Sequence, residues 1–293
     1  MSRSSLVQPK VRNALDQARF FFTRKGKKTI FIEGVKDYKM LSPLVNDDIR
    51  LEVLDGKPNV IYVGGKYRQD NFAIQNKYVM IMADVDYDVV INKSLSINVE
   101  YNVYCKENGF FYNDLELFLI NTNALKKLLI NHNVNFTTEE FEIFKDSIEK
   151  TSRFFGKYRA ADEFLKHTLG GNSVLNSLSI DDYLIPNAMT IDVDGDAFLE
   201  QLPRWSNRKE LIDDLLSEAE RLDSEYSGKW DLSNGHDVTK MITAYIQEKE
   251  SVKRGRKITL RHEDIELVLR VACDSSDYRN SPMGAALSLF GAI

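Results

Sequence analysis

Along the first half of the chain, hydrophobic positions come in short runs separated by polar segments of helical period. Residues 29–32 form a short, mainly apolar run that follows the basic Arg24-Lys25-Gly26-Lys27-Lys28 and ends at Glu33-Gly34, which predicts a buried strand opening into a loop. A helix is expected from Asp37 through Leu41, with an acid in its first turn and a stop near Pro43 and Asn46. Ile49, Leu51 and Val53 alternate with polar residues, and Val60-Ile61-Tyr62-Val63 follows the turn signal Asp55-Gly56-Lys57-Pro58-Asn59; the two runs predict a hairpin or two sheet strands. A short helix through Asn71, Phe72 and Ile74 comes next. The most continuous run, Tyr78-Val79-Met80-Ile81-Met82-Ala83, is apolar on both faces, as a central parallel strand requires.

A further strand is expected over 97–104, then Phe110-Phe111-Tyr112, after which Asn113-Asp114-Leu115-Glu116 opens a helix carrying Leu119, Leu125, Leu128 and Leu129. From Thr137 the period is mostly helical. Thr137-Thr138-Glu139-Glu140 has the form of a capping box, and Phe141, Phe144 and Ile148 share a face. One late strand is expected within 188–193, and helices over 209–226, 236–248 and 263–272, with a loosely held tail from Asp274. The pattern predicts an α/β fold: a parallel sheet core flanked by helices in residues 1–130, and a mainly helical region in 131–293 suited to partner binding or dimerisation.

Composition narrows the picture. Of 293 residues, 44 are Asp or Glu and 39 Lys or Arg, a net charge of -5, which speaks against overall coating of nucleic acid or of an anionic membrane. Two cysteines, Cys105 and Cys273, make neither a disulfide scaffold nor a Cys-based zinc site, and point to a cytoplasmic setting. The first residues carry no leader-like apolar run, and no stretch approaches the ~18 apolar residues of a membrane span. No phosphate-binding loop of the Gly-x-x-x-x-Gly-Lys-Ser/Thr kind is present, so ATP hydrolysis would have to come from a partner.

Candidate chemistry follows from the strand ends, where open parallel sheets bind ligands. Glu33 follows the first strand, and Asp84 and Asp86 follow the central one; strand alternation would turn these two to the same side. Three converging carboxylates repel unless a cation neutralises them, and Mg²⁺ or Mn²⁺ suits carboxylate oxygens while leaving positions open for phosphate. A calcium loop starting at Asp84 fails, since its sixth and twelfth positions are Val89 and Leu95. An aspartyl phosphatase or a receiver-like phospho-acceptor would place its acids after the first strand, where this chain has a single Glu. Lys36 and Lys66 are candidate phosphate contacts, and Asp37 and Asp88 further acids, Asp37 doubling as a helix cap. His236 in Gly235-His236-Asp237 reads either as a phosphate-positioning or acid group or as part of an ordinary loop-to-helix junction. Lys253, Arg254, Arg256 and Lys257 form a basic stretch suited to nucleic-acid backbone, or a solvated turn. The aromatic and basic residues from Phe154 to Arg159 suit a single-strand surface less well than a core.

Phe31-Ile32-Glu33-Gly34-Val35-Lys36-Asp37 together with Ile81-Met82-Ala83-Asp84-Val85-Asp86-Tyr87-Asp88 resembles the Toprim fold of topoisomerases, primases and OLD-type nucleases, over roughly residues 28–130. Phe111-Tyr112-Asn113-Asp114-Leu115-Glu116 and Gly235-His236-Asp237 are similar to a Toprim subgroup that accompanies an ABC-type ATPase in bacterial phage-defence operons, the PARIS-type effectors. The resemblance implies a metal-dependent nuclease held silent by its ATPase partner and released on infection to cut host tRNA. It also implies roles: Glu33 as general acid/base or metal ligand, Asp84 and Asp86 as metal ligands, and Glu116 as a further ligand. An OLD-like DNA nuclease and a non-catalytic Toprim module are the alternatives. The apolar surface of the later helices suits a homodimer or an ATPase interface, and periodicity does not choose between them.

Overall fold

The computed structural model describes residues 9–91, 100–101, 104–106 and 110–293. The first eight residues, read above for a leader, and most of the strand expected over 97–104 lie outside them. In chain order, α1 (Pro9–Arg12) and α2 (Ala14–Lys25) precede β1 (Lys28–Ile32), α3 (Val35–Leu41), β2 (Ile49–Val53), α4 (Lys57–Tyr67), α5 (Asn71–Asn76), β3 (Val79–Ala83) and β4 (Glu100–Tyr101). Next come β5 (Tyr104–Lys106), β6 (Phe110–Tyr112), α6 (Leu115–Ile120), α7 (Asn123–Asn131) and α8 (Thr138–Leu169). The chain continues through β7 (Leu184–Pro186), β8 (Ile191–Val193), α9 (Gly195–Gln201), α10 (Ile212–Glu225), α11 (Gly235–Arg254), α12 (His262–Ala272), α13 (Ser275–Arg279) and α14 (Pro282–Phe290).

The chain divides into two compact units, and the division departs from the expected boundary near residue 130. One unit comprises residues up to Val85, the segment ending at Cys105 and Ser275–Ile293; the other holds residues from Asp86 to Lys93 and Lys106–Asp274.

The first unit is α/β. Its strands are all parallel and ordered β2-β1-β3-β4, with Ile30 level with Leu51 on one side and Met80 on the other. Every residue of β3 is buried, which is why its run is apolar on both faces. Phe31, Leu54, Val60, Val63, Ala73, Tyr78 and Ile81 share one core, and Phe22 stacks on Tyr78 at 4.7 Å between centroids.

Two expectations fail here. The run at 60–63 is not a strand but the middle of α4: Val60, Val63 and Gly64 are its buried face, at helical spacing, and Pro58 stands in its first turn. The reason is topological, because β2 and β3 run parallel and a hairpin cannot join parallel strands. The tail is not loosely held. Tyr278 and Leu287 are completely buried, Lys28 Nζ donates to the Phe290 carbonyl at 2.6 Å, and the Asn46 N–H donates to Ala292 O at 2.9 Å.

The second unit is largely helical. α8 opens on the expected reciprocal cap of Thr137 and Glu140 and ends at Gly170, with φ +61°. Phe155 and Phe198 are fully buried in an aromatic cluster with Phe154, Tyr158, Tyr183 and Trp205, so the Phe154 to Arg159 stretch is interior. Burying each such ring contributes roughly 1.5–3 kcal/mol. The late strand expected within 188–193 appears as β8, paired antiparallel with β7. Among the described residues, no helix is long and apolar enough to cross a membrane.

Candidate functional site

In the first unit the strand order changes direction at β1: the chain proceeds from β1 to β2 on one side, then returns to β3 on the other. The crevice beyond the carboxyl ends of β1 and β3 is therefore the topological switch point, where α/β sheets place their ligands. Phe31 is level with Ile81, so Glu33 and Asp84 leave neighbouring strands at this edge. They meet: the Asp84 N–H donates to Glu33 Oε2 at 3.3 Å, and both residues are half-buried. Lys57 Nζ adds a positive charge at the same edge through a 3.2 Å hydrogen bond to Val85 O. Asp37, the third residue of α3, accepts the Gly34 N–H at 3.0 Å, so its capping role is realised. Lys36 is half-buried in the first turn of α3, and Lys66 lies 5.8 Å from the Tyr62 ring.

Asp86 belongs to the second unit. β3 ends at Ala83 and Asp86 takes a left-handed φ of +49°, so strand alternation does not extend to it. Its N–H donates to Asn113 O at 2.8 Å. Asp88 is buried at 4 % exposure.

The second unit brings the two later sequence motifs together. The Asn113 side-chain amide donates to the carbonyls of Asp231 and Ser233, each at 3.0 Å, tying the start of α6 to the loop before α11. Asp114 caps α6 by accepting the Leu117 N–H at 2.9 Å, while its other oxygen accepts the Gly235 N–H at 2.7 Å. Glycine is required at 235 because the helices start in contact: a Cβ there would overlap Asp114 Oδ1 and stand 2.6 Å from Glu116 Cβ. Asn234 caps α11, as a loop-to-helix junction demands, and Asp237 accepts from Nε and Nη2 of Arg159, at 2.6 and 2.7 Å. His236 lies between the two, with Nδ1 2.9 Å from Glu266 Oε1.

Glu116, His236 and Glu266 each present a ligand atom, and these atoms all lie within 4.8 Å of one another. Two buried carboxylates and an exposed imidazole can hold a divalent metal ion; the mixed oxygen and nitrogen donors do not single out Mg²⁺. Burial, and then the charge of Glu116, push the Asp114 carboxyl up to about 7, against its two backbone N–H bonds and the nearby His236. Glu33 with Asp84, and Glu116 with His236, are thus brought together, each pair within its own unit.

Glu266 is the residue sequence reasoning missed. It is 1 % exposed on α12, while Leu267 and Val271 of the same helix are 48 % and 78 % exposed. A hydrophobic reading of α12 puts its acids outside, and the interior carboxylate leaves no other mark. Of the basic stretch, Lys253 and Arg254 line a cavity beside α11, whereas Arg256 and Lys257 are exposed beyond Gly255. No family model and no curated protein matches the chain.

Proposed function

We propose that the chain is a divalent-metal-dependent nuclease of Toprim type that acts on RNA in preference to DNA. The observation that carries the reading is the meeting of Glu33 and Asp84 at the switch point of a parallel sheet, two carboxylate residues where a phosphodiester would be received. Their all-oxygen donor set fits Mg²⁺ or Mn²⁺. Such an ion, when bound, polarises a phosphoryl oxygen and lowers the pKa of a bound water. In this reading Glu33, half-buried beside the Asp84 amide, takes or returns a proton and Asp84 holds the ion. Glu116, with His236 and Glu266, offers a separate donor set in the second unit.

In the defence form of this reading, an ABC-type ATPase partner restrains the enzyme, and release as a homodimer lets it cut host tRNA in the cytoplasm. The test is paired incubation of tRNA and plasmid with the protein and Mg²⁺ or Mn²⁺, with and without chelator. Cleavage of tRNA, lost with chelator and reduced at least about 100-fold in Glu33→Gln and Asp84→Asn, is the expected result. Cutting of plasmid alone would favour the DNA-nuclease reading. Cutting of neither, at any metal concentration, would leave a non-catalytic binding module.

A further inference from the structure

The second unit carries a cavity that the metal chemistry does not use. It measures about 320 Å³ and lies between α11 and the segment after α7, the size of a small-ligand site. One wall is cationic: Lys249, Lys253 and Arg254 come from successive turns of α11. Glu250 is the acid among them, and it is already engaged, by His132 Nδ1 at 2.6 Å and by Arg254 at 3.0 Å. Lys253 makes no ion pair among the described residues, and Lys249 lies 5.1 Å from the Tyr245 ring. The last turn of α11 also carries the helix's partial negative end, and three cations against one paired acid more than offset it.

The other wall is aromatic. Phe136 is half-buried and backed by Phe144 and Tyr245, with centroids 5.3 and 6.2 Å away, so its ring is held in place rather than free to collapse into the cavity. A fixed aromatic face beside a row of cations matches a planar base with a phosphate attached: stacking for the base, Lys and Arg for the anion. An acyl chain would find too many charges here, and a duplex backbone has no use for the ring.

We propose that this cavity binds an unpaired nucleotide, free or within a single strand, with Phe136 against the base and Lys249, Lys253 and Arg254 around the phosphate. The site goes beyond the nuclease reading, on which it rests only for the expectation that the nucleotide belongs to a substrate strand. The test uses the full chain in chelator, so that binding is read without cleavage, and titrates AMP, UMP, a single-stranded RNA hexamer, the same sequence as duplex, and an acidic Glu-Tyr peptide.

The expected result is that the hexamer binds more tightly than the duplex and the peptide. Lys249→Glu with Lys253→Glu, the first half-buried and the second exposed, should weaken the hexamer about tenfold or more at low salt while circular dichroism is unchanged. Phe136→Leu, which keeps the packing on Phe144, should weaken it about fivefold or more. Binding of AMP or UMP alone, equally sensitive to these variants, would assign the site to free nucleotides. Unchanged hexamer affinity in the charge variant, equal affinity for duplex, tighter binding of the peptide, or no binding by any nucleotide would each overturn the proposal. A protein that binds but never cleaves drops the nuclease reading alone, and one that cleaves with charge-variant binding intact drops this site alone.

Discussion

The carboxylate of Asp114 serves two helices at once, capping α6 with one oxygen and receiving the Gly235 N–H of α11 with the other. Its folded-state carboxyl keeps a proton up to about 7, while the unfolded chain releases it near 3.8. Between those values the folded state binds more protons, so stability falls as pH rises through the window. Glu149, Asp162 and Asp231, also raised by burial, tilt stability the same way. Urea midpoints measured from pH 4.5 to 8 in chelator should therefore decline, and Asp114→Asn should remove a slope of up to about 1.4 kcal/mol per pH unit. His236→Ala and Glu266→Gln, compared by Mn²⁺ titration, should each weaken the second donor set about tenfold or more and leave the wild-type fold by circular dichroism. At this scale the sequence was half legible. Glu33, Asp84, Glu116 and His236 were visible because each punctuates a strand or opens a helix, and Glu266 was hidden inside a helix whose apolar residues point the other way.

In the second unit a missing side chain lets a helix press against the loop beside it. Gly156, in the middle of α8, faces the Leu232 carbonyl so tightly that a Cβ would stand 2.7 Å from its carbon, and Tyr87 donates its hydroxyl to the same oxygen at 3.3 Å. Gly156→Ala should cost about 3 kcal/mol or more in urea denaturation, since backbone on both sides must move. Gly65 makes the opposite case: it is exposed within α4 and nothing lies within 4 Å of an added Cβ. Gly65→Ala should stabilise by about 0.5–1 kcal/mol in the same assay. α4 also shows where pattern reading runs short. Val60 to Val63 is β-branched and aromatic enough for a strand, and only the parallel pairing of its neighbours decides for a helix.

Across the whole molecule, β1, α3, β2, β3 and most of the later helices were legible from hydrophobic period and α4 was not, while the division into units was hidden because it depends on contacts between residues more than 200 positions apart. Lys28 with Phe290, and Asn46 with Gly291 and Ala292, are such contacts. A chain ending at Asp274 should lose hydrogen-exchange protection in β1 and β2 while α8 and α11 keep theirs, a pattern readable by mass spectrometry. The same joins set a schedule for biosynthesis. Lys106–Asp274 is continuous and can fold as it leaves the ribosome, but the sheet unit waits for Ser275–Ile293 to arrive. Glu33 and Asp84 are made early, yet their sheet is completed only after the helical unit has been made, so the two strand ends reach their finished setting late.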